Sequence, residues 1–254
     1  MPSQLLAWLV VVPTAAVVGG DHCLVRDSST ARKRRHMKKF AFGALWVALA
    51  AQALWIVVRI IRQPATPGSV SYPAAVTVAF AALVVTRGRY RWIAGVLRMF
   101  VGVAFLSAVC DRFGILGPPG TPGISWGNFR NFTAYTAQVN SFLPAATIPA
   151  LAVVESIIEG ALGLAMLVGA FLHVTAWASS ALLFVFGIAM TVSLGVASQF
   201  PFAVFVLAAG TWVLAVLDPS FASIDALAAR MGYTRHSTHA RYPHWNQRRA
   251  RESR

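Results

Sequence analysis

The chain has 254 residues, 57% hydrophobic and 12% charged, with a mean hydropathy of +0.63. An average soluble chain is about a quarter charged, so this composition excludes an ordinary soluble domain and points to a membrane. Lys and Arg number 22 against 8 Asp and Glu, a formal net charge of +14; in so apolar a chain that excess reads as orientation and contact with anionic lipid headgroups, not nucleic-acid binding.

Apolar runs of about 17 to 25 residues mark candidate spans. In chain order they are Leu5 to Gly20, Phe40 to Ile61, Val70 to Thr86, Trp92 to Cys110, Leu143 to Gly169, Leu172 to Gly195 and Phe200 to Leu217. The first is short, interrupted by Pro13 and ended by Gly19 and Gly20. Met1 to Gln4 lacks the positive segment of a signal peptide, which leaves two readings: a first span over 5–20, or a start at Met37, followed by Lys38 and Lys39. The predicted fold is all-α, a polytopic transmembrane bundle of six or seven spans.

The basic residues form three clusters: Arg26 to Lys39, Arg87 with Arg89 and Arg91, and the tail from Arg230 to Arg254. Basic loops face the cytoplasm, and one alternation satisfies all three. The 21–39 loop, the 87–91 loop, the Gly169 turn and the C-terminus are expected inside, and residues 62–69, 111–142 and 195–199 outside. Cys23 and Cys110 then lie on opposite sides of the bilayer, which excludes a disulfide between them. After Leu217, Ser223 is expected to cap a short surface helix with Ile224, Leu227 and Met231 on one face. His236, His239 and His244 in the tail fit no standard zinc spacing, and no metal site is predicted.

From Asn131 to Leu217 there is no Lys or Arg, and the only charges are Glu155 and Glu159. Ahead of them lies a long loop with Gly117-Pro-Pro-Gly and Ser125-Trp-Gly-Asn, then Tyr135-Thr, Asn140-Ser-Phe-Leu-Pro, and a span reading Glu159-Gly-Ala-Leu-Gly-Leu-Ala-Met-Leu-Val-Gly. Together with Arg98 in the preceding span, these elements resemble the DoxX family of small four-span membrane proteins over residues 92–217. The resemblance implies a DoxX-like four-helix unit at 92–217, between an N-terminal extension at 1–91 with two or three spans and a basic cytoplasmic tail at 218–254. The family has been linked to small membrane subunits of thiosulfate:quinone oxidoreductase and, in actinobacteria, to a membrane complex with superoxide dismutase and a sulfurtransferase. It therefore implies a subunit or anchor of a thiol- or quinone-linked redox system in the bacterial plasma membrane, with redox-enzyme partner subunits and quinone as the candidate cofactor.

On their own chemistry, ionisable groups in hydrocarbon face the bundle interior and find partners. Depth counted from the ends of the runs brings Arg98 within reach of Glu159, and Glu155 lies one helical turn away on the same face. Arg98, Glu155 and Glu159 are thus the candidate buried polar site, and two carboxylates that close do not both stay ionised. A structural ion pair, proton or quinone chemistry, and proton-coupled transport of a small solute all use this set, and a scaffold without chemistry needs only the first. In the long loop, Trp126 and Asn128 are candidate cofactor-binding residues of a lid; an aromatic belt at headgroup level with Phe129, Phe132 and Tyr135 is the plainer reading. Gly102, Gly160 and Gly163 are expected where helices approach closely. No phosphate loop, HExxH, CxxC or nucleophile elbow is present, and nothing in the chain marks an autonomous enzyme.

Overall fold

The computed structural model describes residues 28–62, 67–217, 221–229 and 231. They form helices α1 (Ser28–Arg62), α2 (Pro67–Val85), α3 (Arg91–Arg112), α4 (Phe129–Val139), α5 (Ile148–Val168), α6 (Leu172–Leu194) and α7 (Val204–Leu217), with a last short helix α8 over residues 224–229. No strand occurs among the described residues. The 5–20 run, Cys23, Arg26 and residues 232–254 with their three histidines lie outside them.

Among the described residues, four segments are long and apolar enough to cross a bilayer: Arg35–Arg62, Arg91–Arg112, Ala145–Val168 and Leu172–Leu194. The protein is a polytopic helical membrane protein. The remaining two runs depart from simple spans. The apolar part of α2, Val70–Val85, rises only about 24 Å at 1.5 Å per residue, short of a hydrocarbon core of about 30 Å. The 200–217 run is broken instead of straight. A 3-10 helix, Val196–Phe202, meets α7 at an angle of 62°, and the pair adds a fifth span if it is counted as one. The basic stretch expected in the 21–39 loop also differs, because α1 begins at Ser28 and carries Arg32 to Lys39 on helix.

The break has a local cause. Pro201 has no amide to donate, and Ala203 takes a left-handed conformation at φ 50°. Gln52, 1% exposed within α1, donates to the Phe200 carbonyl at 2.9 Å, and Trp55 stacks on Phe200 at 5.7 Å. The reason that α7 can be short is its position. It packs against α1, α2, α3 and α6, and only Phe205, Trp212 and Leu217 escape burial. A helix apolar on every side belongs inside a bundle, and its Ala208-Ala209-Gly210 allows close approach: a Cβ on Gly210 would land in the ring of Phe80. The outer helices expose apolar faces instead, such as Val153, Ile157 and Leu164 on α5 and Val174, Val185 and Val192 on α6.

Helices α3 and α5 pack closely and antiparallel. A Cβ on Gly102 would sit 2.8 Å from the Gly163 carbonyl and 2.8 Å from the Leu167 amide, so both backbones meet there. Gly160 has nothing within 4 Å of that position; of the three glycines expected at helix contacts, it alone faces open space.

Candidate functional site

The α3–α5 register fixes which charges meet. Arg98 lies level with Gly169 at the end of α5, and Arg112, the last residue of α3, reaches Ser156 and Glu159. The expected pairing of Arg98 with Glu159 is therefore corrected: the partner of Glu159 is Arg112. Depth was counted from the ends of the apolar runs as though they were level, yet the first two turns of α3 extend past the end of α5. Ten residues of α5, about 15 Å, separate Glu159 from the level of Arg98.

Arg112 is 1% exposed. Its Nη2 donates to Glu159 Oε2 at 2.5 Å and lies 4.0 Å from Glu155 Oε1, and its Nη1 donates to Ser156 Oγ at 3.2 Å. The guanidinium is 3.9 Å from the centre of the Phe132 ring and 5.5 Å from that of Trp126, within cation–π range. One cation thus stands between two carboxylates and two aromatic faces. With both carboxylates ionised the cluster carries one net negative charge; with one shared proton it is neutral.

The long loop is built over this cluster by a residue that the sequence did not single out. Asp111, 6% exposed, accepts the amides of Ser125 at 2.8 Å and Gly127 at 2.9 Å, with Trp126 at 3.3 Å. Three successive amides on one carboxylate pin the Ser-Trp-Gly segment and aim Trp126 at Arg112. Gly127 has φ 66°, and a Cβ there would collide with the backbone of Pro118 and Pro119. The Gly-Pro-Pro-Gly and Ser-Trp-Gly-Asn elements are therefore packed on each other. The loop then enters α4, a helix within the 111–142 segment read as one long loop. Asn128 Oδ1 accepts the Asn131 amide at 2.8 Å, the geometry of an N-cap.

A cavity of about 100 Å3 adjoins the cluster, lined on its polar side by Arg112, Glu159, Tyr135 and Trp126 and on its apolar side by Phe105, Leu183 and Leu207. Phe202 and Val204, flanking the break before α7, also line it, as does Tyr72, whose 43% exposure gives the cavity an edge at the molecular surface. Such a volume takes a few ordered waters or one small ring. Among the described residues, buried Arg112 Nε, Glu155 Oε1 and the Tyr135 hydroxyl find no hydrogen-bond partner. Burial, with Glu155 close by, pushes the Tyr135 phenol up to about 12, so it remains a donor throughout the physiological range.

Arg98 belongs to the opposite end. It is 0% exposed, and its Nη2 donates to the carbonyls of Ala222 at 3.0 Å and Phe221 at 3.4 Å, in the segment that follows α7. Of the three residues expected to form one site, Glu155 and Glu159 are together and Arg98 is apart. Arg112 was missed because it falls just beyond the apolar run, beside a Gly- and Pro-rich stretch. One signal pointed to it: Arg98, Val101, Phe105, Ala108 and Arg112 recur at three- and four-residue steps, so both arginines share one helix stripe.

The chain matches no protein-family model, no curated protein and no solved structure.

Proposed function

We propose that the protein is a DoxX-like membrane subunit of a quinone- or thiol-linked redox system in a bacterial plasma membrane, with the basic end of the bundle in the cytoplasm, α2 and the broken pair completing six spans, and the Arg112–Glu159 cluster as its binding site. The observation that carries this reading is a buried guanidinium–dicarboxylate cluster in the wall of an apolar cavity beneath a pinned aromatic loop. Each charge in hydrocarbon costs about 2.5 to 3.5 kcal/mol on insertion scales, and a charged pair is replaceable by apolar packing without loss of stability. A few convergent polar groups in an apolar cavity are what a small-molecule site requires.

The residues present suit a quinone headgroup. The Tyr135 hydroxyl and Arg112 Nε make no hydrogen bond among the described residues and are donors for a carbonyl oxygen, Trp126 offers a ring face, and Glu155 Oε1, held only by its 4.0 Å ion pair with Arg112, is an acceptor that can hold a proton at the site. A bound quinone supplies a two-electron, two-proton acceptor; the chain binds and orients its ring, while the volume requires any isoprenoid tail to leave past Tyr72. In purified protein reconstituted in nanodiscs, a short-chain benzoquinone analogue is expected to bind saturably, and Tyr135→Phe to weaken binding about three- to ten-fold, the worth of one hydrogen bond. Absence of saturable binding by the wild-type protein overturns the reading.

A second reading, proton-coupled transport of a small solute, draws on one observation: the broken helix pair borders the cavity, and discontinuous helices of this kind form the substrate sites of many transporters. It predicts solute-dependent proton uptake in proteoliposomes that Glu159→Gln abolishes. Proteoliposomes with no such uptake exclude it.

A further inference from the structure

The end of the bundle opposite the Arg112 cluster carries a second built feature that the proposed redox role does not use. Four residues of the segment after α7, Phe221, Ala222, Ser223 and Asp225, are seated on the bundle. Phe221 packs on α3 where a Cβ on Gly95 would strike it. Phe221 and Ala222 give their carbonyls to the buried Arg98. Ser223 fills the space that a side chain at Gly169 would need, and its hydroxyl accepts the Ala226 amide at 3.1 Å to cap α8. Asp225 accepts the amides of Phe171 at 3.0 Å and Leu172 at 2.8 Å, and so caps the start of α6 from outside that helix. The segment is thereby fixed across the ends of α3, α5 and α6.

Fixed in this way, the segment holds its apolar side outward. Phe221, Ile224, Leu227 and Met231 are 48%, 53%, 55% and 58% exposed. Between α8 and the ends of α3 and α5 runs an open groove of about 1000 Å3, lined by Val168, Phe221, Ile224 and Leu227, with Arg91 at its edge. Arg87 and Arg89 are exposed within four residues of Arg91, and the turn that bears them is packed on the end of α7, where a Cβ on Gly88 would meet Leu217. The groove therefore combines an apolar floor with one lining cation, Arg91, and lies at the ends of α3 and α5, next in the chain to the turn that carries Arg87 and Arg89.

We propose that this groove is a binding site for an anionic phospholipid, the acyl chain lying along Ile224, Leu227 and Val168 and the phosphate meeting Arg87, Arg89 and Arg91. Charge complementarity selects the headgroup, because an outward apolar face alone accepts any lipid. An amphipathic helix at headgroup depth buries its apolar face at the acyl boundary, and here Arg98 and Asp225 hold α8 at that depth.

The test is native mass spectrometry of the delipidated full-length protein titrated with dioleoyl phosphatidylglycerol and, separately, dioleoyl phosphatidylcholine. One phosphatidylglycerol per chain is expected to be retained at least about ten-fold more strongly than phosphatidylcholine, with the preference shrinking as ionic strength rises. The triple variant Arg87→Gln, Arg89→Gln, Arg91→Gln is expected to bind the two lipids alike, and Leu227→Asp to weaken both. Equal retention of the two lipids by the wild-type protein overturns the proposal, as does a triple variant that keeps the wild-type preference. If the triple variant does not fold, the salt dependence in the wild-type protein decides, and a preference that is insensitive to ionic strength overturns it. None of these results depends on the quinone reading, whose site is at the other end of the bundle.

Discussion

Arg112→Gln is expected to be the most damaging single substitution in the chain. Removing one member of a buried ion pair leaves its partner uncompensated, at a cost of about 3 to 5 kcal/mol, and here it leaves two carboxylates facing each other, Glu155 and Glu159. Glu159→Gln should cost less, because Glu155 already stands 4.0 Å from the guanidinium and can take the charge. The double variant Arg112→Gln with Glu159→Gln is expected to be more stable than the sum of the two losses by about 1 to 3 kcal/mol, the range for residues in one network. Reversible unfolding in mixed micelles measures all three. The control is as informative as the pair: Arg98→Gln and Glu159→Gln should add to within about 0.5 kcal/mol, because they act at different ends of the bundle. Additive losses for Arg112 and Glu159, or coupled losses for Arg98 and Glu159, would contradict the register described above.

The second large effect is expected at Asp111, which touches no part of the cavity. Its carboxylate holds the amides of Ser125, Trp126 and Gly127, and hydrogen bonds to a charged group are worth about 1.5 to 3 kcal/mol each. Asp111→Ala should raise hydrogen exchange at residues 125–127 by about ten- to a hundred-fold, while the α3 and α5 amides keep their protection. Since the pinned loop carries Trp126 to Arg112, quinone-analogue binding should weaken in parallel. Unchanged exchange at 125–127 would mean that the Pro118 and Pro119 contacts hold the loop without the carboxylate. Asp111 is a positioning residue in this account, and its separation from the cavity distinguishes it from Tyr135, whose loss should affect binding alone.

The two arginines of α3 show what the sequence allowed and what it withheld. Both lie on one stripe at helical spacing, so periodicity places them on the same buried face. It does not say how far along α5 that face is matched, because side-chain depth depends on how two helices slide past each other. A shift of two turns between α3 and α5 moved the partner of Glu159 from Arg98 to Arg112. The close contact of Gly102 with Gly163 and Leu167 fixes that shift, and no property of either run alone reports it.

Composition and run length were enough to determine an all-α polytopic membrane protein, because a backbone in lipid can satisfy its amides only within helices or a closed barrel. The position of the charges was also legible: an 87-residue stretch with only Glu155 and Glu159 marks those carboxylates as exceptional. Ser223 as the cap of a short helix was legible too, since a cap is a local bond between residues three apart. The tertiary structure alone decided that the 200–217 run breaks and retreats to the centre, that Asp111 gathers a loop 14 to 16 residues away, and that Arg98 fastens the segment after α7. Each of these rests on a contact between residues distant in the chain. Hydropathy measures the preference of each residue for lipid, whereas these contacts depend on which helix lies beside which.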